Sequence, residues 1–113
     1  MNNTRLRILA VIPARGGSKG IPRKNVRFMN GKPLVSYSIQ NALNSTYNLD
    51  VVVSTDDEEI KRISLLYGAN VIDRPKRLAE DFVTLDPVIH HALLEMEKKH
   101  GARYDLVITL QPT

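Results

Sequence analysis

No cysteine occurs among the 113 residues of the chain, so the protein has no disulfide bond, no thiolate metal site and no cysteine nucleophile. Tryptophan is also absent, and aromatic residues make up only 5% of the sequence. Because 42% of the residues are hydrophobic, a chain of this length can bury one modest core. We therefore expect one domain or part of one.

Long apolar runs are missing as well. The longest fall far below the ~20 residues that a membrane helix needs. The first five residues lead directly into a short strand pattern, without the apolar stretch and cleavage site of a signal peptide. These features predict a cytoplasmic protein with no membrane partner.

Negative charge is absent from the first part of the chain. Residues 1–49 contain eight Lys or Arg and no Asp or Glu, whereas residues 50–113 contain eight Lys or Arg and all twelve Asp or Glu. The two parts therefore carry net charges of +8 and −4, which give the overall +4. A field of this kind attracts phosphates, carboxylates, nucleic acids and anionic membranes, and charge alone does not choose among them.

The most informative segment is the glycine-rich loop, IPARGGSKGIPRKN at residues 12–25, which follows an apolar run. Its glycines let backbone N–H groups approach an anion, and its cations supply compensating charge. It is not a Walker A loop, because Lys19 is followed by glycine rather than Ser or Thr. Ser18 either hydrogen-bonds a phosphate or caps the loop. The cations are Arg15, Lys19, Arg23 and Lys24, and the glycines are residues 16, 17 and 20. This pattern predicts a polyphosphate cradle.

Strand and helix patterns alternate along the chain. Strands are predicted at residues 8–12, 50–54, 70–72 and 104–110. One helix is predicted to begin near Pro33. A second is predicted to follow a cap at Thr55 and to end near Gly68, and a third to follow a cap at Asp86 and to end near Gly101. The alternation predicts an α/β fold with a parallel, right-handed, doubly wound sheet. The residues expected to face inward are Val35, Ile39, Ala42 and Leu43 in the first helix, Ile60, Ile63 and Leu66 in the second, and Ile89, Ala92, Leu93 and Met96 in the third.

Two groups of residues raise the possibility of a metal site. Asp56 and Asp57 are either a metal pair or carboxylates that interact with a helix start, and their position directly after a strand favours the second interpretation. His90 and His91 are adjacent on a predicted helix, so they point about 100° apart and are poorly placed to share one metal.

The glycine-rich loop, followed by Val53-Ser54-Thr55-Asp56, Arg74-Pro75 and Leu110-Gln111-Pro112-Thr113, resembles the acylneuraminate cytidylyltransferases, or CMP-sialic acid synthetases. The resemblance covers the whole chain in the same order. It implies the N-terminal half of a Rossmann-like nucleotidyltransferase domain, truncated after about four strands. The full-length enzyme would use Mg²⁺ to join a nine-carbon 2-keto sugar acid to CTP, releasing pyrophosphate, and would be a homodimer.

The same resemblance implies roles for individual residues. Arg15, Lys19 and Lys24 match catalytic phosphate contacts, and Gln111 matches a sugar-acid contact. Thr84 is followed by Leu85 where several relatives carry a pair of small hydroxyl residues, so one polar contact is lost or supplied elsewhere. No metal ligand is assigned, since those of Mg²⁺ are expected in the missing half. The implied nucleotide-binding residues are Ala14, Arg15, Gly16, Gly17, Ser18, Lys19, Lys24, Asn25, Arg74 and Thr84.

Three alternative functions stay open at this point. One is cytidylyl transfer to a related nonulosonic or keto sugar acid instead of a sialic acid, and another is a non-catalytic nucleotide-binding module. A nucleic-acid binder is disfavoured, because Phe28 is the only aromatic residue near the loop and no helix-turn-helix pattern is present. We expect the chain alone to bind nucleotide at most, without turnover.

Overall fold

The computed structural model describes residues 6–17, 24–80 and 83–112. Its main sheet contains β1 (Ile8–Pro13), β4 (Leu49–Thr55), β5 (Asn70–Asp73) and β6 (Leu106–Thr109), and a small antiparallel hairpin contains β2 (Phe28–Met29) and β3 (Lys32–Pro33). The helices are α1 (Leu34–Leu43), α2 (Glu58–Leu66) and α3 (Leu85–His100), with short 3-10 helices at Lys24–Val26 and Lys76–Leu78. No helix in the described residues is both long enough and apolar enough to cross a membrane.

The main sheet is parallel throughout, with the order β5-β4-β1-β6. The chain moves outward from β1 through β4 to β5, and then returns to the other side of β1 to form β6. This reversal creates a switch point between β1 and β6, and open parallel sheets bind ligands outside the carboxyl ends of their strands at such a point. The predicted parallel α/β sheet is confirmed.

The central strand β1 is buried on both faces. Ala10 and Ile12 belong to a hydrophobic cluster shared with α1 and α2. Leu9 and Val11 point to the opposite face and pack in a second cluster, where α3 contributes Met96. Two covered faces require a continuous apolar run rather than an alternating one, and the helices on both sides confirm the doubly wound arrangement.

The cap residues of α2 and α3 differ from the prediction. Asp57 caps α2 by accepting a hydrogen bond from the Ile60 backbone N–H at 3.0 Å. Thr55 cannot do so, because it still pairs with Asp73 as the last residue of β4. The N-cap of α3 is Thr84 rather than Asp86. Pro87 fits inside the first turn, where backbone N–H groups have no intrahelical partner.

Two leucines predicted to face inward are exposed instead, Leu43 at 46% and Leu66 at 85%. Each successive helical residue turns by about 100°, so Leu43 leaves the buried stripe that ends at Ala42. Leu66 lies six residues after the buried Ile60 and faces away from the sheet for the same reason. The two predicted glycine stops are confirmed by positive φ angles of 93° at Gly68 and 65° at Gly101.

Candidate functional site

A cleft of about 280 Å³ opens beside the carboxyl ends of the strands. Its walls come from the glycine-rich loop after β1, the segment after β5, the start of α3 and the residues after β6. Six of the residues predicted to bind nucleotide or sugar line it: Arg15, Gly17, Lys24, Asn25, Arg74 and Gln111. Residues far apart in sequence therefore meet at the switch point, although their individual roles stay predictions.

The remaining predicted site residues lie elsewhere or outside the described ranges. Ala14 is 1% exposed and packs in the core cluster beneath the loop. Gly16 is buried behind Gly17, and Thr84 is exposed at the N-cap of α3. Ser18 and Lys19 fall outside the described residues.

Arg74 is fixed in the wall of the cleft by hydrogen bonds to the end of β4 and to the segment after β5. Its guanidinium donates to Ser54 twice, from Nε to Oγ at 3.1 Å and from Nη2 to the backbone carbonyl at 3.0 Å. A third bond runs from Nη1 to the Leu78 carbonyl at 3.4 Å. The residue is only 7% exposed. Its guanidinium is therefore already held in one orientation and does not need to be ordered when a ligand binds.

The electrostatic surroundings of Arg74 favour an anion. Burial lowers the pKa of Arg74; nearby Asp56 opposes this effect, and the positive charge of Arg15 adds to it. Arginine nevertheless stays protonated at neutral pH. Arg15 donates from Nη1 to the Ala79 carbonyl at 3.1 Å, which ties the loop to the segment after β5. Two neighbouring cations repel each other, and a negatively charged ligand between them would relieve that repulsion.

Asn25 presents a buried acceptor that no described residue pairs with. The side chain is 5% exposed, and its Nδ2 donates to the Arg15 carbonyl at 3.1 Å. Its Oδ1 accepts no hydrogen bond from the described residues. A buried polar atom left unpaired costs about 1–3 kcal/mol, so Asn25 is suited to receive a donor from a ligand.

The two glycines at the start of the loop serve different purposes. The Gly16 N–H donates to Asp56 Oδ1 at 2.9 Å, and a Cβ at Gly16 would lie 3.0 Å from the Asp57 side chain. Only glycine fits there without displacing the α2 cap. At Gly17 a Cβ would meet no atom of the described residues within 4 Å.

Several residues that shape the cleft were not predicted from the sequence. Leu78, Val83 and Val88 give it an apolar wall, and Leu85 lines it where several relatives are expected to have a hydroxyl group. The contact of Asp56 with the loop was also missed. The Ser-Thr-Asp motif at the end of β4 was visible in the sequence, but its partners at positions 16 and 74 become evident only in the folded sheet.

A doubly wound parallel sheet with a cationic cleft at its switch point is the arrangement of Rossmann-like nucleotide-binding domains. Residues 9–111 match the family model described as cytidylyltransferase, and the chain belongs to this family.

Three similar proteins carry related names. The pseudaminic acid cytidylyltransferase of Campylobacter jejuni is 48% identical over 106 residues, which are 93% of this chain and 45% of that protein. The N-acylneuraminate cytidylyltransferase of Escherichia coli O18:K1:H7 is 40% identical over 109 residues, 96% of this chain and 25% of that protein. A solved CMP:2-keto-3-deoxy-manno-octonic acid synthetase complexed with CTP is 27% identical with a TM-score of 0.73, covering 94% of this chain and 40% of that one. The chain thus spans less than half the length of each of these relatives.

Proposed function

We propose that this chain is the nucleotide-binding half of a cytidylyltransferase that acts on nonulosonic acids. One observation carries the proposal: Arg15, Lys24 and Arg74 line a single cleft together with Asn25, whose Oδ1 accepts no hydrogen bond from the described residues. Cations suit the phosphates of CTP, and an acceptor oxygen suits a donor group of the nucleotide.

The proposed reaction is the transfer of CMP to the anomeric hydroxyl of the sugar acid. The hydroxyl oxygen forms a bond to the α-phosphorus of CTP and loses its proton, and the bond from that phosphorus to the bridging oxygen of the pyrophosphate breaks, so that pyrophosphate and the proton are released. Negative charge develops on the departing pyrophosphate, so fixed cations lower the barrier. Arg15 and Lys24 would supply that charge, and Lys19 is proposed to share this role.

Magnesium is part of the proposal, but the described residues do not form a site for it. No group of three or more His, Asp or Glu side chains lies together in residues 6–17, 24–80 and 83–112. Glu80 is the only carboxylate among the described residues that line the cleft. We therefore assign no step to the metal and expect its ligands in the part of the domain that this chain does not span.

The acceptor class is broader than sialic acid. The sequence pattern predicted an N-acylneuraminate, whereas the Campylobacter jejuni relative named for pseudaminic acid has the higher identity. Both names describe nonulosonic acids, and we propose this class for the acceptor, with Gln111 among its contacts. The full-length enzyme is proposed to be a homodimer.

Calorimetric titration of the chain with CTP, UTP, ATP and GTP, each with Mg²⁺, tests the nucleotide site. We expect CTP to bind selectively and Arg74→Met to weaken binding, with the exposed Arg77→Met as the matched control. Equal affinity for all four nucleotides would contradict a cytidine site and leave only a phosphate site.

A non-catalytic module is the second candidate, because the cleft has cations but no assigned metal ligands. We propose that the chain alone binds CTP without turnover. Formation of a CMP-sugar by the purified chain, detected by mass spectrometry with N-acetylneuraminic or pseudaminic acid as the acceptor, would refute this.

A further inference from the structure

A groove of about 240 Å³ adjoins the nucleotide cleft, and we call it the α1 groove. Gln111, two residues after β6, lines both spaces. The neighbouring Leu110 lines the groove and packs against the core cluster that α1 and α2 cover. The groove therefore lies between α1 and the end of β6, and it begins where the nucleotide cleft ends.

A single stripe of α1 forms the helical wall of the groove. Its members recur every three or four residues, so they lie on one side of the helix. They are Leu34, Tyr37, Ser38 and Asn41. A different stripe of the same helix, which includes Val35 and Ile39, is buried in the core. The polar members of the groove stripe are therefore not needed for packing on the sheet.

An absence of charge distinguishes this wall. α1 has no Asp, Glu, Lys or Arg among its ten residues, although it belongs to the first 49 residues, which contain eight Lys or Arg. The exposed side of a surface helix normally carries charged side chains, and α2 has Glu58, Glu59, Lys61 and Arg62. None of the described residues that line the α1 groove is charged. The groove is therefore suited to a ligand group that is polar but neutral.

Hydrogen bonds fix the helical wall before a ligand binds. The buried Ser36 Oγ donates to the Pro33 carbonyl at 2.7 Å, which anchors the first turn of α1. The Tyr37 hydroxyl donates to the Met29 carbonyl of the β2–β3 hairpin, and its oxygen can still accept a hydrogen bond. A wall that is already ordered reduces the entropy lost on binding.

Three further side chains offer hydrogen-bonding groups to a ligand. Ser38, Asn41 and Gln111 make no side-chain hydrogen bond with the described residues. A serine hydroxyl both donates and accepts, and each amide side chain has donors and an acceptor. These groups match the hydroxyl and acylamino groups of a sugar.

The sizes of the two spaces fit a nucleotide and a sugar acid bound side by side. The cleft measures about 280 Å³ and the α1 groove about 240 Å³. Ligand sites usually measure at least about 300 Å³, a size that the two spaces reach only together. A 2-keto sugar acid carries its anomeric hydroxyl and its carboxylate on the same carbon. That charged, reacting end belongs beside the cations of the cleft, so the rest of the molecule extends past Gln111.

We propose that the α1 groove binds the uncharged end of the sugar acid, the end distal to the anomeric carbon. Tyr37, Ser38 and Asn41 contact its hydroxyl and acylamino groups and are specificity-determining residues. The proposal rests on the proposed function. Because nonulosonic acids differ from one another in these distal groups, the groove selects which of them is used.

NMR titration of the ¹⁵N-labelled chain tests the proposal. The side-chain amides of Asn41 and Gln111 report on the groove, and that of Asn44, which is exposed after α1 and does not line the groove, is the control. The probes are N-acetylneuraminic acid and pseudaminic acid at up to about 10 mM, with and without CTP and Mg²⁺. Pyruvate, a 2-keto acid that has the carboxylate but no distal groups, is the control ligand.

We expect both sugar acids to shift the Asn41 and Gln111 amide resonances, and pyruvate to leave Asn41 unchanged. Asn41→Leu and Ser38→Val should each weaken the tighter-binding sugar acid by about tenfold, whereas Asn44→Leu should not weaken it. CTP affinity should be the same in all three variants. An unshifted Asn41 resonance with both sugar acids, or unchanged affinity in both groove variants, would overturn the proposal.

Titration of the same labelled chain with CTP distinguishes this proposal from the proposed function. Sugar-acid shifts at Asn41 without any binding of CTP would retain the groove as a sugar-acid site and refute the cytidylyltransferase. Selective CTP binding without sugar-acid shifts at Asn41 would retain the proposed function and overturn the groove.

Discussion

Arg74 depends on a planar fork of donors that lysine cannot reproduce. Its three hydrogen bonds join the end of β4 to the segment after β5, and the side chain is almost fully buried. Loss of the fork leaves the Ser54 and Leu78 acceptors without their guanidinium donors at a nearly buried position. The shape of the guanidinium therefore matters as much as its charge.

We expect Arg74→Lys to lower the free energy of unfolding by about 2 kcal/mol and to weaken CTP binding by about tenfold, or ~1.4 kcal/mol. The exposed Arg77→Lys should change stability by less than about 0.5 kcal/mol. Urea denaturation and calorimetry measure the two effects. Similar results for both variants would show that the fork has no special role.

Asp56 has two opposing effects on the cleft. Its carboxylate holds the Gly16 N–H at 2.9 Å, and its negative charge partly offsets the lowered pKa of Arg74. Asparagine retains an acceptor without the charge, whereas alanine removes both. The two substitutions therefore separate loop positioning from electrostatics.

We expect Asp56→Ala to weaken CTP binding, because the loop must then be ordered when the ligand binds. Asp56→Asn should bind CTP at least as tightly as the unmodified chain, since a repulsive charge is lost while the Gly16 contact persists. Calorimetry gives the affinities, and amide hydrogen exchange at Gly16 reports on the contact. Equal weakening by both substitutions would contradict a positioning role.

At the scale of elements, the start of α2 depends on Asp57. Its side chain caps the helix through the Ile60 N–H. Asp57→Ala should lower the free energy of unfolding by about 1 kcal/mol, whereas Asp57→Asn, which keeps a capping oxygen, should lower it by much less. Urea unfolding followed by circular dichroism measures the difference. Equal losses would indicate that the carboxylate charge matters more than the cap.

Tyr104 joins the segment before β6 to β4. Its hydroxyl donates to Asp50 Oδ2 at 2.6 Å, and Arg7 lies over its ring at 5.1 Å. Burial, followed by the hydrogen bond to Asp50, raises the pKa of Tyr104 from 10.0 to about 12. The folded state therefore favours the neutral phenol, and the stability this supplies is complete below pH 10 and is lost as the pH rises through about 12.

We expect Tyr104→Phe to destabilise the protein at pH 8 and to show a smaller further loss of stability between pH 8 and pH 11.5 than the unmodified chain. Tyr47→Phe, at an exposed position, should lose as much stability between pH 8 and pH 11.5 as the unmodified chain does. The comparison uses urea midpoints at the two pH values. An equal loss of stability in the unmodified chain and in Tyr104→Phe would contradict a raised pKa of the Tyr104 phenol.

The elements also show how far the sequence could predict the structure. The apolar run at residues 8–12 predicted a strand buried on both faces, and the glycine stops predicted two helix ends, because these signals are local. The alternation of strand and helix patterns predicted the parallel sheet. The sequence alone does not show whether Thr55 or Asp57 caps α2. In the structure Thr55 still pairs with β5 as part of β4, so the cap falls to Asp57. The contacts of Arg74 with Ser54 and of Gly16 with Asp56 span 20 and 40 residues, so they follow from sheet packing and not from local pattern.

At the scale of the whole molecule, positive charge is concentrated in the first 49 residues. Their glycine-rich loop contributes Arg15 and Lys24 to the cleft. We expect CTP affinity to fall by roughly tenfold between 0.05 and 0.5 M NaCl because salt screens this field. CMP, with fewer charges, should lose less affinity in the same titration. Equal losses for the two nucleotides would contradict recognition of the terminal phosphates by these cations.

The position of β1 at the centre of the sheet also has a consequence for folding during synthesis. One side of β1 pairs with β4, but the other waits for β6, and the Arg7 N–H meets the Asp105 carboxylate across 98 residues. Closing so long a segment is entropically costly, and non-local strand pairing is slow. As the ribosome elongates the chain, β1 therefore keeps one open edge until residues 106–109 have emerged, and an unpaired strand edge during this interval makes the nascent chain prone to aggregate or to need a chaperone.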